Sequence, residues 1–348
     1  MFNYPEIWKL IFYTGVTQAD TIWISVLGLI LFFLSIFIFP GKMRVVDVLI
    51  LLGIVFSPAS MLLYERANVD IFFFVLCTLV LILSNYSLVA SMILIIIGMV
   101  FKMFPLFGVV VYLKERPKKF WTLIVIGCLA FAIYFVLSFD SFRAAWSLTQ
   151  RGRDQSYGAN VIALHYDRIL ISNLSHIISP EWISVLLGVS PYLIAFIVIA
   201  WCLFLNIGSK NELTSNDQRN LDAFRMGVAT YAGTFLLGNN WDYRLAFLIF
   251  IVPQTAVWLR TAKGQMQKLA ILTMLSAYLS NWYLLFYFIL KKVDLWDSLH
   301  EILFLFDETA NWTLFACLIS LAFISAPEWI KAPVYKVFSS KQQQRANP

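Results

Sequence analysis

The chain has 348 residues, 60% hydrophobic and only 13% charged, with a formal net charge of +6. Apolar runs recur along its whole length, more than a soluble domain can bury, so the composition excludes a soluble globular enzyme and points to a polytopic membrane protein. Lipid offers the backbone no hydrogen-bond partners, so the crossings must be helices, and the runs lack the period-two alternation of an outer-membrane barrel.

The first stretch, "MFNYPEIWKLIFYTGVTQAD" (1–20), has neither the basic start nor the apolar core of a signal peptide, and it reads as an amphipathic segment lying in the interface. Crossings are then expected at about 22–39, 45–63, 69–84, 87–101, 104–113, 120–138, 182–205, 223–238, 245–259, 268–290 and 310–326. The predicted fold is an all-α transmembrane helical bundle of about eleven crossings over 21–326, followed by a tail, 327–348, whose end "SSKQQQRANP" reads as disordered. The runs at 69–84 and 87–101 give roughly 22 Å of helix against roughly 30 Å of hydrocarbon, and 104–113 is shorter still, so these helices should be tilted, broken or shielded. No internal repeat is evident, which disfavours transporters built from inverted halves.

Charge alternates between the connections. One set ("GKMR", "KERPKK", the 208–222 loop, "RTAKGQMQK" and the tail) carries about 15 Lys or Arg; the other carries about 10, against 14 acids. By the positive-inside rule the first set is cytoplasmic, which puts the N-terminus outside and the C-terminus inside. The four cysteines, Cys77, Cys128, Cys202 and Cys317, fall inside apolar runs and read as small core hydrophobes.

Three polar clusters fall on the expected external side: "YERANVD" (64–70), "FKMFP" (101–105) and "NNWDYR" (239–244). A charge at mid-membrane costs roughly 2.5 to 3.5 kcal/mol, so Glu65, Arg66 and Asp70 must line a wet cavity or find partners. If the third helix begins near Arg66, Arg66 and Asp70 lie one turn apart, where the carboxylate can hold the guanidinium. Lys102 precedes Pro105 at a helix end; Glu65 could pair with it or coordinate a metal, and Asn68 offers a neutral donor amide. Asp242 and Arg244 should enter the same cavity as Arg66. The bland reading of all of these is interface anchoring and snorkelling at helix ends.

The longest external loop, 139–181, adds Arg151, Arg153 and Arg168, which with Arg66, Lys102 and Arg244 make a phosphate-binding set; solvated pairs such as Arg153 with Asp154 are the alternative. His165, His176 and His300 lack metal-ligand spacing and read as surface histidines, so no metal site is assigned, although a divalent ion is not excluded. There is no Walker A sequence, no strand followed by GxGxxG, no Asp-x-Asp and no HExxH, which disfavours cytoplasmic nucleotide chemistry. Nucleic acid is not an expected partner.

In order, "FNYPEIW", "SPASMLLYERANVD", "GMVFKMFPLFGVVVYL" and "NNWDYRLAFLIFIVPQ" resemble the GT-C class of integral-membrane glycosyltransferases, specifically the bacterial family-87 type related to polyprenyl-phosphate-mannose-dependent mannosyltransferases. The resemblance covers nearly the whole chain. It implies a sugar, mannose or another hexose, carried on a polyprenyl phosphate that enters from the bilayer and is transferred externally to a lipid or glycan acceptor, without a cofactor. Cationic residues would hold the departing phosphate while a carboxylate deprotonates the acceptor hydroxyl. GT-C enzymes carry the catalytic aspartate on the large loop after their first helix. "FNYPEIW" resembles the end of that loop, so the expectation is a chain lacking the first helix and most of the loop, with no catalytic residue assigned to Asp20, Asp70 or any other. An envelope-polysaccharide flippase, a transporter or an O-antigen polymerase is the alternative.

Overall fold

The computed structural model describes residues 6–148, 152, 154–206 and 218–336, so the polar end of the tail and Arg151 and Arg153 lie outside the described residues. A 3₁₀ segment, Glu6–Thr14, leads into helix α1 (Thr21–Ile38), followed by α2 (Val45–Val55), α3 (Pro58–Glu65), α4 (Asp70–Leu83) and α5 (Leu88–Phe101). A second long 3₁₀ segment, Phe104–Lys114, precedes α6 (Pro117–Leu137), α7 (Phe139–Leu148), strand β1 (Ser156–Tyr157), α8 (Val161–Leu174) and α9 (Pro180–Leu205). The last part is α10 (Gln218–Leu236), strand β2 (Asn240–Trp241), a 3₁₀ segment Asp242–Ile251, α11 (Val252–Thr261), α12 (Gln265–Lys292) and α13 (Trp296–Ile324).

Among the described residues, six helical spans are long and apolar enough to cross a membrane, or seven if the bent pair α2–α3 counts as one. The protein is therefore an all-α helical membrane bundle. Three spans, 18–38, α6 and α9, are only 22%, 11% and 17% buried and form the perimeter that meets lipid, whereas Asp242–Thr261 is 83% buried and runs through the centre. Around it the core is aromatic: Phe74 stacks on Phe250 at 4.3 Å between ring centroids, and Phe104 meets Phe247 edge-on at 5.2 Å.

The predicted crossing at 45–63 is broken. Pro58 opens α3, Ser57 accepts the backbone N–H of Ser60, and the two pieces meet at 56°. The freed polar groups are satisfied inside: the Ser60 hydroxyl donates to the Ile54 carbonyl at 2.9 Å, and that of Ser57 to Asn281 Oδ1 at 3.1 Å. The shortest predicted run, 104–113, is 3₁₀ rather than α. At about 2.0 Å of rise per residue, eleven residues extend roughly 22 Å, well beyond the reach of the same number in an α-helix.

Ion pairs and loops mark two ends of the bundle. At one end, hereafter the tail face, Lys114 donates to Ser84, Asn85 and Asp222, Arg225 donates to the Ser325 carbonyl, and Arg260 pairs with Asp47. Trp329, in the helical stretch 328–336, packs on Phe120 and Trp121 there. The other end, the loop face, carries segment 139–181. That segment is not an open loop: it holds α7 and α8 and a strap, 154–160, tied to the α10–β2 junction.

Gly158 makes the strap possible. Its φ is +142°, and a Cβ there would stand 1.6 Å from the Gly238 carbonyl oxygen, so only glycine fits. Ser156 then pairs with Trp241 and Tyr157 with Asn240 in an antiparallel ladder, and Asn239 bridges both backbone groups of Gly152.

Two further expectations are corrected. Cys77, Cys202 and Cys317 are buried, but Cys128 lies on the exposed side of α6. His165 is not a surface histidine: its ring stacks on Phe304 at 3.8 Å, and its Nε2 sits 3.2 Å from Glu301 Oε1, tying α8 to α13. Tyr166 donates to the other Glu301 oxygen at 2.8 Å; burial, then that bond and the carboxylate charge, push its phenol up to about 12.

Candidate anion-binding site at the loop face

Asp70 is the hub of the site. It opens α4, fully buried, and its backbone N–H donates to Asn68 Oδ1 at 3.0 Å. Lys102, at the C-terminal end of α5, donates to one Asp70 oxygen, and Arg244 Nε donates to the other at 3.0 Å. Arg244 Nη1 also donates to Asn240 Oδ1, which fixes the guanidinium against β2. The aromatic neighbours are Phe73 and Phe104 beside Lys102, and Phe104 and Tyr243 beside Arg244.

The expected Arg66–Asp70 pair is absent. Helix α3 stops at Glu65, Arg66 forms its cap, and Ala67 takes a left-handed φ of +42°, so residues 66 and 70 do not share a helical face. Arg66 instead lies over the Trp241 ring at 5.8 Å, exposed at the edge of the same cluster. Glu65 is exposed and does not pair with Lys102, whose partner is Asp70.

Two cations from separate parts of the chain thus hold one carboxylate, with a third, Arg66, at the edge of the cluster. Counting Arg66, Lys102 and Arg244 against Asp70 leaves a formal charge of +2, from three positive and one negative. The side chains of Lys102 and Arg244 are 10% and 22% exposed. A site of this kind attracts a phosphate, for which a fixed guanidinium is a suitable fork. The N-terminal segment closes on it: Trp8 donates its indole N–H to the Phe101 carbonyl at 3.0 Å, next to Lys102.

Asp242 takes no part in this charge network. It is 1% exposed and neither of its oxygens has a hydrogen-bond partner. Arg168 is exposed on α8 and carries no ion pair among the described residues. The residues that sequence reasoning missed are Asp307 and Glu308, expected in a solvated connection but buried in α13 at 4% and 1% exposure. The apolar run "EILFLF" just before them was the available signal that the helix starts early. Among the described residues no group of three or more His, Cys, Asp or Glu could hold a metal ion. Comparison with protein-family models, with curated proteins and with solved structures finds no match to this chain.

Proposed function

We propose that this protein is a membrane glycosyltransferase of GT-C type that takes a hexose from a polyprenyl-phosphate donor and passes it to a lipid or glycan acceptor on the external side of a bacterial inner membrane. The observation that carries this reading is the convergence of Lys102 and Arg244 on buried Asp70 with Arg66 beside them, at one end of a lipid-exposed bundle. The residues are those on which the sequence resemblance rests, and their charge suits the phosphate of a lipid-borne donor and of the leaving group. The loop face is then external, α4, α5, α10 and the 3₁₀ segment Phe104–Lys114 also traverse, and with the seven spans above the crossings number eleven.

One measure favours an enzyme-like site over an ion-coupled transporter. From Ile324, at the tail-face end of α13, Asp307 is 17 residues away (324 minus 307), roughly 25 Å of helix. In a hydrocarbon layer of roughly 30 Å that puts the acids near the loop-face boundary rather than at the midplane where transporters bind.

The test is binding of polyprenyl phosphate and of uncharged polyprenol to the full chain in nanodiscs, with sugar transfer as the second readout. Wild type should prefer the phosphate, and Lys102→Met and Arg244→Met should erase the preference. Equal affinity of wild type for the two lipids would overturn the reading.

A further inference from the structure

Three carboxylates stand together at the loop-face side of the core with nothing to balance them. Asp242, Asp307 and Glu308 are each at least 96% buried, and both oxygens of Asp242, Oδ1 of Asp307 and both oxygens of Glu308 lack hydrogen-bond partners. Asp242 is within electrostatic reach of the other two. The nearest cation in sequence, Arg244, turns toward Asp70 and Asn240 and pairs with none of these acids. A fold does not retain five unsatisfied acceptors for stability, because an apolar side chain of the same size would pack better.

A second feature points the same way from the donor side. Tyr283, on α12, is 2% exposed, its hydroxyl has no partner, and it lies within electrostatic reach of Asp307 and Asp242. Unused acceptors and an unused donor thus coexist in one region without satisfying each other. Stacked tyrosines flank it, Tyr157 on Tyr231 at 5.4 Å between centroids. The strap is tied to this region, since the Asp242 backbone N–H donates to the Gln155 carbonyl at 3.2 Å.

Five unpartnered carboxyl oxygens offer acceptors and none of the cationic donors that a phosphate needs, and the set does not form a metal site among the described residues. A neutral polyol fits: its hydroxyls donate to carboxylates and accept from a phenol, and tyrosine rings cover its C–H faces. We propose that Asp242, Asp307, Glu308 and Tyr283 are the recognition site for the hydroxyl groups of a sugar, next to the cationic cluster that takes phosphate. This rests on the glycosyltransferase reading and names the groups that would sort sugar-bearing from sugar-free lipid.

The experiment titrates the full chain in nanodiscs with polyprenyl monophosphate and with the same lipid carrying one mannose. Asp307→Leu and Glu308→Met remove unpartnered acceptors without leaving a hole, and Tyr283→Phe removes one hydroxyl. Each should lower affinity for the sugar-bearing lipid by up to about tenfold, the range of a lost hydrogen bond, and leave that for the sugar-free lipid unchanged. Thermal unfolding of the two acid variants should stay level or rise, as expected when a binding site is traded for packing. A wild type that binds both lipids equally, variants that keep the wild-type ratio, or acid variants that lose stability would each overturn the proposal. Loss of preference for phosphate over polyprenol in wild type would instead overturn the underlying reading, and the two failures are read on separate lipid pairs.

Discussion

Asp70→Asn should be the most destabilising single change at the cationic cluster. Asp70 is fully buried and serves Lys102 and Arg244 at once, so the amide leaves two largely buried cations without their counter-charge. Removing one partner of a buried pair costs about 3 to 5 kcal/mol. Because Lys102 and Arg244 retain 10% and 22% exposure, and asparagine still accepts a hydrogen bond, the cost is reduced to roughly 2 to 4 kcal/mol. Lys102→Met should cost less, about 1 to 2 kcal/mol, since Asp70 keeps Arg244. The double variant should fall short of the sum by about 1 kcal/mol or more, because the second change removes a cation that the first has already orphaned.

Unfolding followed by tryptophan fluorescence in nanodiscs is a convenient assay, with 12 tryptophans in the chain. At about 2 to 4 °C per kcal/mol, Asp70→Asn should lower the midpoint by roughly 4 to 16 °C. A midpoint within about 1 °C of wild type, or strict additivity in the cycle, would show that the three side chains do not depend on one another.

Ala67→Gly should stabilise the protein by about 1 kcal/mol, since alanine holds a left-handed φ of +42° that glycine adopts freely; a drop in the unfolding midpoint would contradict this. Gly158→Ala should detach the strap, because its Cβ would overlap the Gly238 carbonyl at 1.6 Å, and hydrogen exchange should rise at Tyr157 and Trp241 while α6 is unchanged. For sidedness, a cysteine at exposed Glu65, in a background without native cysteines, should react with an impermeant reagent added outside cells, and one at exposed Lys118 should not. The reverse pattern would invert the topology.

The parts of this fold legible from sequence are those set by solvent. Hydropathy locates the lipid-facing helices well because α1, α6 and α9 are apolar on every side, as their low burial requires. The same rule reads the polar clusters at Glu65 to Asp70, Lys102 and Asp242 to Arg244, since charge beside hydrocarbon demands a reason. Which charge answers which is another matter. Asp70 bonds Lys102, 32 residues away, and Arg244, 174 residues away, and no local pattern selects those two over Arg66, its near neighbour in sequence. The local argument failed on one backbone angle at Ala67, where the chain turns before α4 starts. Likewise, 3₁₀ geometry over Phe104–Lys114 has no hydropathy signature, although it changes how far the segment extends.

Asp307 and Glu308 were hidden for a deeper reason. Averaged hydropathy treats a polar dip in an apolar run as the end of a helix, so "FDETANW" read as the edge of a connection. In the structure the helix continues through it from Trp296 to Ile324, and the acids face inward while Leu305 and Phe306 beside them are 46% and 54% exposed. The useful sign is the combination: an apolar run on both sides of two adjacent carboxylates, with an amide four residues on. On a helix those apolar neighbours cannot all face inward with the acids, so they must meet lipid, and the acids are left to the core. A polar dip that interrupts an otherwise continuous run is thus better read first as an interior site and only then as a loop, because lipid tolerates the former and a connection has no need of apolar residues on both sides.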